Sequence, residues 1–164
     1  MTPSPRGFRE MKSVVVRFAG DSGDGMQIVG ERFTDTSVTV PNTVATFPDF
    51  PAEIRAPIGT IAGASAFQAH FGTTTVLTPR AEPDALVVMN PAALAVHLYD
   101  LVEGGLLIAN SAAFTEENLS MAGFKTNPLD DPALLKKYDV IPIDITGLAV
   151  GALKDSTLTQ REKV

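Results

Sequence analysis

The run Ser13 to Ala19 (SVVVRFA) is short, β-branched and apolar, and the glycine loop Gly20-Asp21-Ser22-Gly23-Asp24-Gly25 follows it at once. Such a run reads as a buried strand. After the loop, Met26, Val29, Phe33 and Ser37 fall on one face of a helix spanning Met26 to Val38. Strand, glycine turn and helix in that order form the first half of a βαβ unit. That geometry points backbone N–H groups and a positive helix end at a single place, where an anion is the natural guest. The spacing, however, is G-x-x-G-x-G and not the dinucleotide pattern G-x-G-x-x-G. No acidic residue closes a clear second strand about 20 residues on, where a ribose partner belongs. A Walker loop is excluded because Gly-Lys-Ser/Thr is absent. Asp21 and Asp24 would each repel a phosphate at ~4 Å by roughly 1 kcal/mol in water. A plain tight turn, with Ser22 or Asp24 capping the helix, stays open beside any ligand role.

The remaining chain repeats the same alternation. Ala64 to Phe71 (ASAFQAHF) alternates as a half-buried strand, with Phe67, Ala69 and Phe71 on one face and Gln68 and His70 on the other. Val76 and Leu77 suggest a further short strand. ALVVM (85–89), LLIAN (106–110) and VIPIDI (140–145) read as buried strands. Pro91 stands where a helix would begin, and Ala92 to Leu101 is helical. Short helices are expected from Thr115 to Gly123 and from Pro132 to Tyr138, with a last helix after Asp144. The order predicts an α/β, Rossmann-like, mostly parallel sheet with helices on both faces. Val40 to Pro57 carries four prolines, so it reads as a long structured loop and a poor central strand.

Composition removes whole classes of function. The 164 residues fit one domain, with residues 1–12 as a loose lead-in, 13–153 as the domain and 154–164 as the start of a linker or helix into a further region. No cysteine is present, so the chain alone offers no disulfide, thiolate-held cluster or Cys-bound zinc. A net charge of -6 with no basic patch speaks against nucleic acid. No apolar run approaches the roughly 20 residues that span a bilayer, and the first residues lack a signal-peptide core. A soluble, cytoplasmic domain is expected.

Few residues look chemical. Glu53 and Arg55, two apart, point the same way in an extended backbone and suit an ion pair or a clamp on a carboxylate or phosphate. An exposed pair of little energetic worth is the plainer alternative. His70 and His97 are too scattered for a metal site and read as surface or edge residues, while Phe67, Phe71 and Phe114 read as core. Asp144 serves as well as a helix cap as it would as a site residue. No catalytic set and no metal set stands out.

Three segments together carry a resemblance: the strand with Gly20-Asp21-Ser22-Gly23-Asp24-Gly25-Met26, the stretch Ala45-Thr46-Phe47-Pro48-Asp49-Phe50-Pro51-Ala52-Glu53-Ile54-Arg55-Ala56-Pro57, and Met89-Asn90-Pro91-Ala92-Ala93-Leu94. They resemble the gamma-type domain at the N-terminus of the alpha subunit of 2-oxoacid:ferredoxin oxidoreductases. Gly-Asp-Gly, where pyruvate-type enzymes have Gly-Gly-Gln-Gly, points to the 2-oxoglutarate branch. The resemblance implies one part of an enzyme complex, inactive alone, that oxidatively decarboxylates a 2-oxoacid, forms acyl-coenzyme A and reduces ferredoxin. Thiamine diphosphate, Mg2+ and iron–sulfur clusters would belong to the rest of the alpha subunit and to a thiamine-binding beta subunit. Coenzyme A is then the one cofactor expected here. Backbone approach is assigned to Gly20, Gly23 and Gly25, a hydroxyl donor to Ser22, and the neighbouring surface to Glu53 and Arg55, with Arg55 the better phosphate ligand. Two other readings are a non-catalytic interaction module of the same kind of complex and a stand-alone Rossmann-like nucleotide-binding domain.

Overall fold

A computed structural model describes residues 11–37, 43–51, 56–74, 76, 80 and 82–153. Strand β1 (Ser13–Asp21) runs into the glycine loop and helix α1 (Met26–Ser37). An antiparallel pair follows, β2 (Thr43–Asp49) and β3 (Ala64–Gly72). Then come β4 (Ala85–Val88), α2 (Pro91–His97), β5 (Leu106–Asn110), α3 (Glu116–Met121), α4 (Pro132–Lys137), β6 (Asp139–Ile143) and α5 (Ile145–Ala152). The six strands lie in the order β2-β3-β1-β4-β5-β6. The pairs β1–β4, β4–β5 and β5–β6 are parallel, and β3 is antiparallel to β1. The expected α/β fold with a mostly parallel sheet is what forms.

Adjacent residues of β1 show that the helices take opposite faces. Phe18 meets Phe33 of α1 edge to face at 5.1 Å. Arg17, one residue earlier, approaches His97 of α2. Neighbouring strand residues point to opposite faces, so α1 and α2 flank the sheet on different sides. The larger core lies on the α2 side, where Leu86, Leu94 and Leu107 are fully buried. Each contributes about 1.5–3 kcal/mol by leaving water. The smaller core, Phe67, Ala69 and Phe71 with Val14, Val16 and Val44, lies on the α1 side.

Caps set the short helices. Asn90 accepts from the Ala93 amide, with Pro91 in the first turn of α2. Thr115, Asp131 and Asp144 accept likewise at the starts of α3, α4 and α5. Each oxygen satisfies a donor that the helix itself leaves unpaired.

Five expectations need correction. The stretch around Pro48 was expected as loop, yet Thr43–Asp49 is an edge strand; an edge tolerates a proline because one side of the ladder is unpaired. Gln68 is not on a solvated face: it is buried, accepts from Arg17 Nε at 2.8 Å and donates to the Arg80 carbonyl. His97 is not a surface residue but is 3% exposed, because α2 lies across the sheet above Arg17. Val29 is largely exposed, and Gly30 makes the close approach of α1 instead. Val76 lies in no strand, and Leu77 falls outside the described residues, as do the lead-in and the last helix expected beyond Lys154.

Two outcomes follow from this packing. A Cβ at Gly30 would stand 2.0 Å from the Phe67 ring. Gly30→Val therefore overpacks the small core and lowers unfolding stability by about 1–3 kcal/mol or more, measured by urea denaturation. His97 is buried, and burial followed by the Arg17 charge holds its pKa below 6.5, against weaker opposition from Asp49 and Asp100. The unfolded chain then binds a proton that the folded chain refuses. Stability is lost as pH falls below 6.5 and levels off beneath the folded-state pKa. Melting temperatures between about pH 7.5 and 5 should fall less steeply for His97→Gln than for the parent chain.

Candidate functional site

Because α1 and α2 leave β1 and β4 on opposite faces, the carboxyl ends of these adjacent parallel strands open into a crevice, the place where open α/β sheets receive ligands. A cavity of about 360 Å³ occupies it. The ends of β1, β4 and β5 supply Asp21, Asp24, Asn90 and Asn110, and α3 and α5 supply Asn118 and Thr146. A larger cavity of about 480 Å³ lies between α1 and β2, but its carboxylates, Glu31 and Asp35, sit on an exposed helix face away from the strand ends.

The glycine loop is tied to itself and to Gly63. Asp24 Oδ2 accepts from the Asp21 amide at 2.8 Å. The Ser22 amide donates to the Gly63 carbonyl and the Asp24 amide to the Asp21 carbonyl. Three amides that a phosphate cradle would use are therefore committed. A Cβ at Gly20 would stand 2.7 Å from the Asp24 carboxylate oxygen, so that side chain could not keep its place. Gly25 adopts φ +71°, the left-handed region that glycine enters without strain. Ser22 and Gly23 are exposed, and Gly23 lines the cavity. Glu53 and Arg55 lie outside the described residues, so the loop is not seen together with them.

Asp21 is the unusual group. It is 5% exposed, and its Oδ2 accepts from the Gly59 amide at 2.8 Å. Its Oδ1 is buried without a hydrogen-bond partner among the described residues. Buried polar oxygens are nearly always satisfied, so a donor from a ligand or water is the expected complement. Burial, and then the Asp21 charge, hold the Asp24 pKa above the usual carboxylate value, against the Asp21 amide that pulls it down. No lysine or arginine lines the cavity among the described residues. Its chemistry suits a neutral guest that brings N–H or O–H donors, and it opposes a bare phosphate.

Asn110 holds the far wall. Its amide donates to Thr146 Oγ1 at 2.9 Å and to the Met89 carbonyl at 3.3 Å, and its Oδ1 accepts from the Ile145 amide at 3.1 Å. One side chain thus joins the end of β4 to the first turn of α5. The asparagines were missed in the sequence, although ALVVMN and LLIAN both end a buried strand in Asn.

The family model for pyruvate ferredoxin/flavodoxin oxidoreductases matches residues 15–160. The chain belongs to that family. It is 47% identical over 146 residues to the 2-oxoglutarate oxidoreductase subunit KorA of Mycobacterium tuberculosis, covering 89% of this chain and 22% of that one. The domain thus spans about a fifth of this curated relative. Its fold matches a 2-oxoglutarate:ferredoxin oxidoreductase of Magnetococcus marinus, solved with 2-oxoglutarate, coenzyme A and succinyl-CoA bound, with TM-score 0.65 and 19% identity over 88% of this chain and 22% of the other. It also matches the pyruvate oxidoreductase subunit PORC of Thermotoga maritima, with TM-score 0.58 and 19% identity over 88% of this chain and 68% of the other. The expected oxidoreductase family and α/β fold are therefore found.

Asn110→Ala removes the tie across the cavity and strands the Ile145 amide and the Met89 carbonyl. Unfolding stability should fall by about 1–3 kcal/mol, with faster hydrogen exchange at Ile145.

Proposed function

We propose that this domain works inside a 2-oxoglutarate-type 2-oxoacid:ferredoxin oxidoreductase, on the coenzyme A side of the reaction. The observation that carries this reading is the 47% identity to a 2-oxoglutarate oxidoreductase subunit along 89% of the chain. The complex would oxidise a 2-oxoacid, release CO2, pass the acyl group to the coenzyme A thiol and deliver electrons to ferredoxin in the cytoplasm. Among the described residues no helix is long and apolar enough to cross a membrane.

The cavity supports a division of labour within the ligand. Coenzyme A carries phosphates at one end and, along its pantetheine arm, neutral amides and a hydroxyl. The unpaired Asp21 oxygen matches those neutral donors, in a cavity that Asn90, Asn110 and Asn118 line without charge. The committed loop amides and the paired carboxylates do not match the phosphates. Gly20, Gly23 and Gly25 keep the strand-to-helix turn tight beside the ligand, and Ser22 stands exposed at its lip. Glu53 and Arg55 form the neighbouring surface on this reading, with Arg55 taking a phosphate.

Thiamine diphosphate, Mg2+ and iron–sulfur clusters belong to the remainder of the alpha subunit and to a thiamine-binding beta subunit. The chain has no cysteine, and no group of three His, Asp or Glu side chains suited to a metal occurs among the described residues. Purely structural service in the same complex is the second reading, favoured by the uncharged exposed helix α5.

Steady-state kinetics of the assembled oxidoreductase test the first reading. Arg55→Ala should raise the Km for coenzyme A about tenfold, the cost of one charge-assisted hydrogen bond, and leave the Km for the 2-oxoacid unchanged. An unaltered coenzyme A Km removes Arg55 from the site, and loss of subunit co-purification with Arg55→Glu would favour the structural reading.

A further inference from the structure

One oxygen at the carboxyl-end cavity is buried without a use in the fold. Asp21 lines the cavity and is 5% exposed, and its two oxygens differ. Oδ2 accepts from the Gly59 amide at 2.8 Å, while Oδ1 has no hydrogen-bond partner among the described residues. Glycine at position 63 leaves the space beside Oδ1 free of a side chain: a Cβ there would stand 3.8 Å from that oxygen. A buried carboxylate with one donor destabilises the chain that carries it, and a second donor removes the penalty.

The bonded oxygen has a different task. Residues 57–63 form a tight turn, in which the Thr60 amide and hydroxyl both donate to the Pro57 carbonyl and the Gly63 amide donates to the Thr60 carbonyl. This turn hangs from the glycine loop at two points. One is the Gly59 amide on Asp21 Oδ2, and the other is the Ser22 amide on the Gly63 carbonyl at 3.1 Å. The turn carries Ile58 to the cavity wall. A single carboxylate thus holds the turn with one oxygen and keeps the other in reserve.

The surroundings of the reserve oxygen decide what it takes. A phosphate would meet Asp21 and Asp24 with no lysine or arginine lining the cavity among the described residues. A hard cation wants about six oxygens. The oxygens of the wall are already committed: Asn90 Oδ1 to the Ala93 amide, Asn110 Oδ1 to the Ile145 and Thr146 amides, and Asp24 Oδ2 to the Asp21 amide. A neutral N–H needs a single acceptor, and Asp21 Oδ1 is one.

We propose that Asp21 is the specificity-determining residue of this cavity: its free oxygen selects the pantetheine arm of coenzyme A by accepting one amide N–H, and the same carboxylate passes that contact to the turn at 57–63. The proposal rests on the functional reading above and goes beyond it in naming the atom, the ligand group and the segment that responds. Asp21 contributes nothing to the nucleotide end of the ligand. Its charge is a cost to the empty domain and a gain to the filled one.

The complete oxidoreductase carrying Asp21→Asn tests this. The substitution is isosteric, keeps a carbonyl oxygen for the Gly59 amide and turns an NH2 toward the donor of the ligand. Pantetheine and adenosine bisphosphate, which represent the two ends of coenzyme A, serve as separate competitors. Asp21→Asn should raise the Km for coenzyme A and the Ki for pantetheine about tenfold each, and leave the Ki for adenosine bisphosphate unchanged. The melting temperature of the unliganded assembly should hold or rise, because a buried unpaired charge is gone. Coenzyme A should slow hydrogen exchange across residues 57–63 in the parent and slow it less in the variant. Unchanged inhibition by pantetheine means that the free oxygen holds only water, and overturns the proposal. A lower melting temperature with both competitors weakened alike gives Asp21 a structural role and overturns it too. In either event, coenzyme A that protects residues 145–149 of the parent from exchange keeps the functional reading standing. Coenzyme A that protects no part of this domain defeats that reading and the proposal together.

Discussion

The parallel pairing of β1 with β4 governs the rest of the molecule. One strand hands its chain to a helix on one face, and its neighbour hands its chain to a helix on the other. Two loops leaving in opposite directions cannot fill the gap between them, so a crevice is obligatory at that edge. Asp21, Asp24, Asn90 and Asn110, all at the carboxyl end, border this gap. The antiparallel β3 on the other side of β1 closes off the remaining flank and brings Gly59 and Gly63 within reach of the glycine loop.

Polar ties do what apolar packing cannot do at such a boundary. Arg17, in the middle of a buried strand, pairs with Asp100 and donates to Gln68, joining β1, β3 and the turn after α2. Burial first, and then the charge of Arg17, favour the neutral form of the His97 that lies above it. Asn110 does the equivalent at the cavity, binding backbone from two elements. Each tie specifies one arrangement of elements, because leaving any member unpaired in the interior costs more than the pair itself gains.

Much of this was readable in advance. SVVVRFA, the glycine loop and the following helix fixed the first unit, and three apolar runs fixed β4, β5 and β6. Reading failed where partners decide the outcome. Gln68 looked solvated because alternation reports face, not what covers it; it bonds Arg17 and the Arg80 carbonyl. His97 looked superficial because nothing local announces that α2 lies over a buried arginine. Pro48 argued against a strand, and only sheet position reversed that. The glycine loop announced an anion site, but the Asp21 and Asp24 amides turned out to be spent within the loop and the Ser22 amide on the Gly63 carbonyl, with the Asp24 side chain folding back under Gly20.

Both margins of the sheet carry a proline, Pro48 in β2 and Pro142 in β6. A proline has no amide hydrogen, so each outer strand is one donor short of a complete template for another strand. Growth of the sheet from either margin, whether by a stray copy or by an extended peptide, is discouraged at the backbone level. Contacts made by this domain are thereby steered away from strand addition and toward side-chain surfaces, where composition and not the generic peptide ladder chooses the neighbour.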